Sequence, residues 1–245
     1  MKKIDAFWEQ RNFNKKVLEV ELDDDDSNDS LNDLTDDCAS YDYIVAKVPK
    51  CRMDLVHGLE ELGFRFMETQ LEMTMNLLKI AETSRFTKAI SEQIQFQTIE
   101  TIECLEELLS NIDKDLFVTD RVSLDPVLGT DLAHKRYLNW IRDGFLGGNA
   151  LIIEATFKSQ KIGFFYFWKR KDKTLDAVLV SVYKNVRRKA VGLSFLEEIR
   201  SWLANEGYTR LNTRVSSNNL EALRANLFVS FEIREIYYIL RKVTR

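Results

Sequence analysis

The chain has 245 residues, a length for one large domain or two small ones, and its 45% hydrophobic content is enough for a sizeable core. A formal net charge of −4 and the lack of a long basic run argue against non-specific nucleic-acid binding, which needs many phosphate-facing Lys and Arg. The three cysteines, Cys38, Cys51 and Cys104, form no CxxC pair, which argues against a disulfide framework or a zinc site and points to reduced thiols in a cytoplasmic protein.

The N-terminal segment MKKIDAFWEQ lacks the apolar stretch of a signal peptide. No run approaches the ~20 apolar residues of a membrane helix, so no membrane partner is expected. Residues 17–22 read as a strand. The acidic run 23–29 follows and reads as an exposed loop, because its carboxylates repel one another. It lacks the turn glycine and closing Glu of a calcium loop, so no metal is expected there. Residues 43–48 read as a second strand, ended by Pro49. Met53, Val56, Leu59 and Leu62 recur at helical spacing and Gly63 stops that helix. Residues 64–75 alternate as a strand. Residues 1–76 thus form a small α/β unit, and 77–93 read as a linker.

A second unit, 94–245, opens with a strand at 94–99. A helix follows, with Ile102, Leu105, Leu108, Leu109 and Ile112 on one face. Residues 116–129 are loop-like, and 134–145 carry the helical stripe Tyr137, Trp140, Ile141 and Phe145. Strands at 150–157 and 162–168 are joined by a hairpin turn at 158–161, and 174–182 is a further strand. An amphipathic helix at 190–205 turns Leu193, Leu196, Ile199, Trp202 and Leu203 inward, and Gly207 closes it. A strand at 208–215, a helix at 220–228 and a strand at 231–240 complete the chain. Such alternation predicts a mixed α/β sheet. Segment 52–64 can be laid on 219–231, since both read as helix, tight turn, Phe and strand. Either the first unit is a partial copy lacking a cofactor loop, or two common helix–turn–strand units coincide.

His57 and His134 are the only histidines, and neither sits in a nucleophile motif, which argues against Ser-His-Asp or Cys-His catalysis. The chemically informative segment is 182–192, which joins an apolar strand to the amphipathic helix. Ala190 and Gly192 let the backbone approach a ligand, and free N–H groups at a helix start attract anions. Arg187, Arg188 and Lys189 add positive charge beside those donors. The combination suits a pyrophosphate; a basic strand–helix turn without a ligand has the same composition.

Arg187-x-x-Ala190-x-Gly192 resembles the Gln/Arg-x-x-Gly-x-Gly/Ala loop that follows the fourth strand of the GNAT-type N-acetyltransferases. Asn219, Ala222, Asn226, Ser230 and Phe231 match that family's Asn-x-x-Ala-x-x-x-Tyr-x-x-x-Gly-Phe spacing in part. The resemblance covers residues 94–245. It implies an α/β (α+β) fold, a GNAT-like mixed, mostly antiparallel sheet flanked by helices, preceded here by a smaller partial GNAT-like unit. It also implies acetyl-CoA as acyl donor, without a metal. Arg187, Arg188, Lys189, Ala190, Val191 and Gly192 would then hold the pyrophosphate, and Val180, Ser181 and Val182 the pantetheine arm. A splay between the fourth and fifth strands would receive the thioester, with a backbone N–H near Val180 polarising its carbonyl. Asn219 and Asn226 would lie at the cofactor.

The chain departs from the family pattern in three places. Ala190 and Ser230 replace glycines, and Asn226 stands where many members place the tyrosine that protonates the leaving thiolate, which an amide cannot do. Tyr183, Tyr208 and Tyr237 remain as alternative acids. Otherwise water serves, or catalysis rests on positioning alone, or the chain binds acyl-CoA without transferring its acyl group. Residues 43–75 and 137–145 resemble the dTDP-fucosamine acetyltransferase branch of the family. That likeness implies a small-molecule amine acceptor, a nucleotide amino sugar. An exposed edge strand would also allow a homodimer.

Overall fold

The computed structural model describes residues 1–79, 90, 93–184, 186 and 191–244. Its strands are β1 Lys2–Asp5, β2 Val17–Glu21, β3 Tyr43–Pro49, β4 Arg65–Asn76, β5 Ile94–Thr98, β6 Ala150–Phe157, β7 Gln160–Lys169, β8 Thr174–Val182, β9 Arg210–Ser216 and β10 Glu232–Val243. Its α-helices are α1 Gln10–Phe13, α2 Asn28–Leu31, α3 Leu34–Ser40, α4 Met53–Glu61, α5 Ile102–Ser110, α6 Arg121–Leu124, α7 Gly129–Leu146, α8 Val191–Asn205 and α9 Leu220–Phe228. All ten strands form one sheet in the order β1-β2-β3-β10-β4-β9-β8-β7-β6-β5. Among the described residues only the pairs β2–β3 and β8–β9 are parallel, so the sheet is mixed and mostly antiparallel.

Period-two alternation along β7 assigns the helices to faces. Phe165 stacks on Phe195 of α8, ring centroids 4.1 Å apart. Its neighbour Tyr166 points the other way and donates its hydroxyl to the Trp140 carbonyl of α7. Helices α7 and α8 therefore cover opposite faces. A second, smaller core lies under α2–α4, where Leu31, Leu34, Leu55 and Leu59 meet Leu18, Val20, Ile44 and Ala46.

The repeat seen in the sequence is present in three dimensions. Helices α4 and α9 each have nine residues, and strands β4 and β10 each have twelve. Both helices end in the same turn. Gly63 N bonds Glu60 O and Phe64 N bonds Leu59 O; Ser230 N bonds Leu227 O and Phe231 N bonds Asn226 O. That turn needs a left-handed residue, supplied by Gly63 at φ 86° and by Ser230 at φ 73°. The serine thus occupies a conformation that favours glycine.

The two units also exchange their last strands. Strand β4 of the first unit inserts between β9 and β10, and β10 of the second inserts between β3 and β4. Gln70 lies opposite Tyr237, and each is the other's counterpart in the repeat. An approximate two-fold axis passes through that pair. The expected division at residue 76 falls at the end of β4, which lies inside the one ten-stranded sheet, between β10 and β9.

The parallel pairs have corresponding crossovers, 22–42 in the first unit and 183–209 in the second. The acidic run therefore falls in the crossover that corresponds to the one whose sequence carries Arg187, Arg188 and Lys189. The expected loop holds over 23–27; α2 then begins at Asn28, with a reciprocal capping box between Ser27 and Ser30, and α3 follows. Leu31 and Leu34 are the only residues these two helices bury, too few to reveal a period. Three smaller differences follow from local geometry. The β6–β7 turn is tighter than expected, with Lys158 and Ser159 at φ 51° and 61°. Pro49 is itself the last residue of β3, paired opposite Tyr237, one residue beyond the expected end at 48. The loop-like stretch 116–129 contains α6, capped by the Asp120 side chain.

Candidate functional site

Strands β8 and β9 pair only from Thr174↔Arg210 to Ala177↔Thr213, after which they part. Strand β7 holds β8 on its other side as far as Gly163↔Val182. The register skips Val178, between Tyr166↔Leu179 and Phe167↔Ala177. Such a bulge bends its strand, which accounts for β8 leaving β9 at this point. The equivalent pair β2–β3 has no such break: five residue pairs run from Val17↔Tyr43 to Glu21↔Lys47, and Leu22 N bonds Lys47 O at 2.9 Å. The sheet thus opens in a wedge in the second unit and stays closed at the matching place in the first.

Hydrogen bonding sets what faces the wedge. Tyr183 N donates to Ile162 O at 2.8 Å, so alternate residues of β8 bond toward β7. The amide and carbonyl of Val180 consequently point away from β7, toward the opening. Val180 keeps 36% exposure among otherwise buried or half-buried neighbours, whereas Ser181, on the other face, is buried. Helix α8 begins beside the end of β8, since a Cβ on Gly192 would lie 3.8 Å from Val182 Cγ2. Val191, the first residue of α8, is buried. Arg187, Arg188, Lys189 and Ala190 lie outside the described residues.

Across the opening, Asn219 caps α9, its Oδ1 accepting from Ala222 N at 3.1 Å. This side chain therefore shapes the helix start. Asn226 lies half-buried on α9, and its carbonyl accepts the turn bond from Phe231. Helix α9 buries none of its residues, while its counterpart α4 buries Leu55, Val56 and Leu59. The flank of α9 next to β9 is thus far barer than the same flank in the first unit.

Gly163 fixes the other wall. A Cβ there would come within 2.2 Å of the Ser181 carbonyl oxygen, and backbone cannot yield as a side chain can. Gly163→Ala is expected to lower stability by about 1–3 kcal/mol and to push β8 outward. Chemical denaturation of the variant checks this, and an unchanged midpoint contradicts it.

The three candidate tyrosines do not converge on the wedge. Tyr183 follows β8 and is buried, its hydroxyl donating to Glu154 Oε1 at 2.8 Å. Burial pushes this phenol far up, and the Glu154 charge adds to the effect. Glu154 also pairs with Lys161 at 2.8 Å. Tyr208 precedes β9, at the end where β8 and β9 are paired and closed. Tyr237 sits two strands from β8's partner, with β4 between β9 and β10 and Lys47 Nζ 3.8 Å from its ring centroid.

Sequence reasoning passed over Glu68. It lies on β4 and is 3% exposed, and its Oε2 has no hydrogen-bond partner. In the sequence it is one polar residue of an alternating strand. Only the insertion of β4 beside β9 brings it to Ser216, at the open end of the wedge. No group of three or more His, Cys, Asp or Glu among the described residues could hold a metal ion.

No family profile matches the chain. A curated relative, the spore coat polysaccharide biosynthesis protein SpsD of Bacillus subtilis, is 23% identical over 243 residues, covering 96% of this chain and 80% of the relative. Among solved structures, a GCN5-related N-acetyltransferase from Sphaerobacter thermophilus matches with a TM-score of 0.59 at 14% identity. That match covers 83% of this chain and 60% of the other, so this chain spans less than two thirds of that protein. A GCN5-related N-acetyltransferase from Kribbella flavida matches with a TM-score of 0.56 at 12% identity, over 93% of this chain and 81% of the other. The chain has the GNAT fold. Counted from β5, the wedge falls between the fourth and fifth strands, β8 and β9.

Proposed function

We propose that the chain transfers an acetyl group from acetyl-CoA to a primary amine of a small molecule. The observation that carries this reading is the single wedge between β8 and β9, with the Val180 amide aimed into it. In this reading the pantetheine arm lies along Val180, Ser181 and Val182. Arg187, Arg188, Lys189, Ala190, Val191 and Gly192 receive the pyrophosphate, where cations and free amides reinforce one another. The Val180 N–H stabilises the oxyanion as the amine attacks the thioester directly. Proximity supplies much of the acceleration, because both reactants are held in one cleft.

A nucleotide-linked amino sugar is the acceptor that fits the sequence likeness, and the relative named for polysaccharide biosynthesis supports it. The reading is of a cytoplasmic enzyme. Among the described residues no helix is long and apolar enough to cross a membrane. A second reading is a non-catalytic acyl-CoA-binding module. Asn226 favours it, as does the distance of Tyr208 and Tyr237 from the wedge.

Arg187→Glu separates a loaded loop from a bare one. Losing a charge-assisted contact of about 1.5–3 kcal/mol corresponds to a rise in acetyl-CoA Kd of roughly tenfold to a hundredfold, read by titration calorimetry. Unchanged affinity contradicts the assignment. Thiol release with dTDP-4-amino-4,6-dideoxygalactose then tests catalysis. Binding without amine-dependent release across a panel of amines selects the non-catalytic module.

A further inference from the structure

We infer that Glu68, contributed by the first unit, takes the proton from the acceptor's ammonium group in the second unit's site. The inference rests on the acetyl-transfer reading above and adds the group that makes the amine nucleophilic. A primary amine is largely protonated at neutral pH, and its nitrogen cannot attack until a proton leaves. A carboxylate within reach of the wedge meets that need, and a buried one does so without competing water.

Glu68 is placed for this by the strand exchange. Gln70 pairs with Ser216 at the end of β9, and Ser217 N bonds Thr69 O at 2.8 Å. Glu68 thus lies just beyond the last β4–β9 pair, on the side where β9 has already left β8. Two hydrogen bonds reach its carboxyl, from the Ser216 side chain and the Arg121 backbone, and they leave Oε2 without a partner. Ser216 reaches it from β9, Arg121 and Asp120 face it from α6 and its cap, and its cross-strand neighbour on β10 is Ile239. Burial pushes its carboxyl up, while Ser216 and Arg121 pull it down.

Native proteins rarely leave a buried carboxyl oxygen without a donor, because the lost solvation is not recovered. The other unpartnered buried atoms carry less. Asp37 Oδ2 lies 2.7 Å from Lys3 Nζ, and Ser194 Oγ and Glu197 Oε2 both sit on α8. Glu68 alone joins an open carboxyl oxygen to the mouth of the wedge. It also gives the first unit a part in the reaction, although its own β2–β3 pair stays closed.

The step balances as follows. One N–H proton of the ammonium passes to the Glu68 carboxylate, and the freed lone pair bonds to the thioester carbon. The C–S bond breaks and a second amine proton leaves with sulfur as the thiol. The amide keeps the third proton, and Glu68 returns its own to solvent.

The test measures kcat/KM against pH for the full chain with acetyl-CoA. The acceptors are dTDP-4-amino-4,6-dideoxygalactose and, as a simple probe, ethylamine. The wild type should show a limb rising from acid pH. Glu68→Gln should lower kcat/KM about a hundredfold or more and lose that limb, while acetyl-CoA affinity by calorimetry stays unchanged. Glu68→Asp should restore part of the rate, which a purely structural loss would not allow. Wild-type kcat/KM and an intact acid limb in Glu68→Gln overturn the inference. So does a wild type that binds acetyl-CoA yet acetylates neither amine. A wild type that fails to bind acetyl-CoA overturns the broader reading instead.

Discussion

A fragment comprising residues 94–245 is expected not to fold, and adding residues 1–79 should restore it. Strand β4 pairs with β9 over seven residue pairs, from Gln70↔Ser216 to Asn76↔Arg210. It also pairs with β10 from Glu232↔Thr74 to Arg241↔Arg65. Removing it leaves both neighbours with unpaired edges in the middle of the sheet, and buried backbone groups there have no other partner. The loss includes three core side chains, Leu71, Met73 and Met75, exposed by 8%, 0% and 3%. At about 1.5–3 kcal/mol per buried side chain, these alone approach the whole net stability of a domain, about 5–15 kcal/mol. Near-ultraviolet circular dichroism of the isolated fragment, and of the two fragments co-expressed, decides the matter. A fragment 94–245 with native-like near-ultraviolet signal and a cooperative melt contradicts the strand exchange.

The second large effect concerns Asp125, which ties the loop before α7 to the sheet of the first unit. Its carboxylate is 1% exposed and accepts from Tyr43 Oη at 2.6 Å, from Val127 N at 2.8 Å and from Arg241 Nε at 2.9 Å. Asp125→Ala leaves a half-buried guanidinium and a buried phenol without their acceptor. Breaking one side of such a pair is expected to cost about 3–5 kcal/mol, seen as a lower midpoint in urea.

The pH dependence of this contact has a definite sign. Burial pushes the Asp125 carboxyl up, but the bonds from Tyr43, Val127 and Arg241 together outweigh it and hold the carboxyl below its ordinary value. A carboxyl depressed in the folded state contributes stability above its unfolded pKa, and that contribution is lost as pH falls through the folded value. Asp125→Ala should therefore narrow its deficit against the wild type as pH drops below about 4. A deficit that grows with acidification refutes the contact's role.

The elements of the second unit were largely legible because their periods are long and clean. Residues 174–182 and 220–228 were read with their observed bounds, since apolar spacing and the flanking turns agree there. The counterpart turns at Gly63 and Ser230 were legible as a repeat, and their matching hydrogen bonds explain why segment 52–64 overlays 219–231. What could not be read is pairing. An alternating strand such as Arg65–Asn76 looks the same whether it borders its own unit or fills a gap in another, so the exchange left no local trace. Glu68 was invisible for the same reason. The bulge at Val178 that opens the wedge is a matter of register, which no residue between Thr174 and Val182 announces. Helices α2 and α3 were hidden by their Asp-rich composition, because charge favours a loop reading until tertiary contacts decide otherwise.

Two crossovers occupy equivalent places, yet one is acidic on a closed pair of strands and the other basic on an open pair. Titration calorimetry of the full chain with acetyl-CoA tests that asymmetry most directly. Binding at a single site per chain, weakened by Arg187→Glu, is the expected result. No binding at all, or two equivalent sites per chain, contradicts the account.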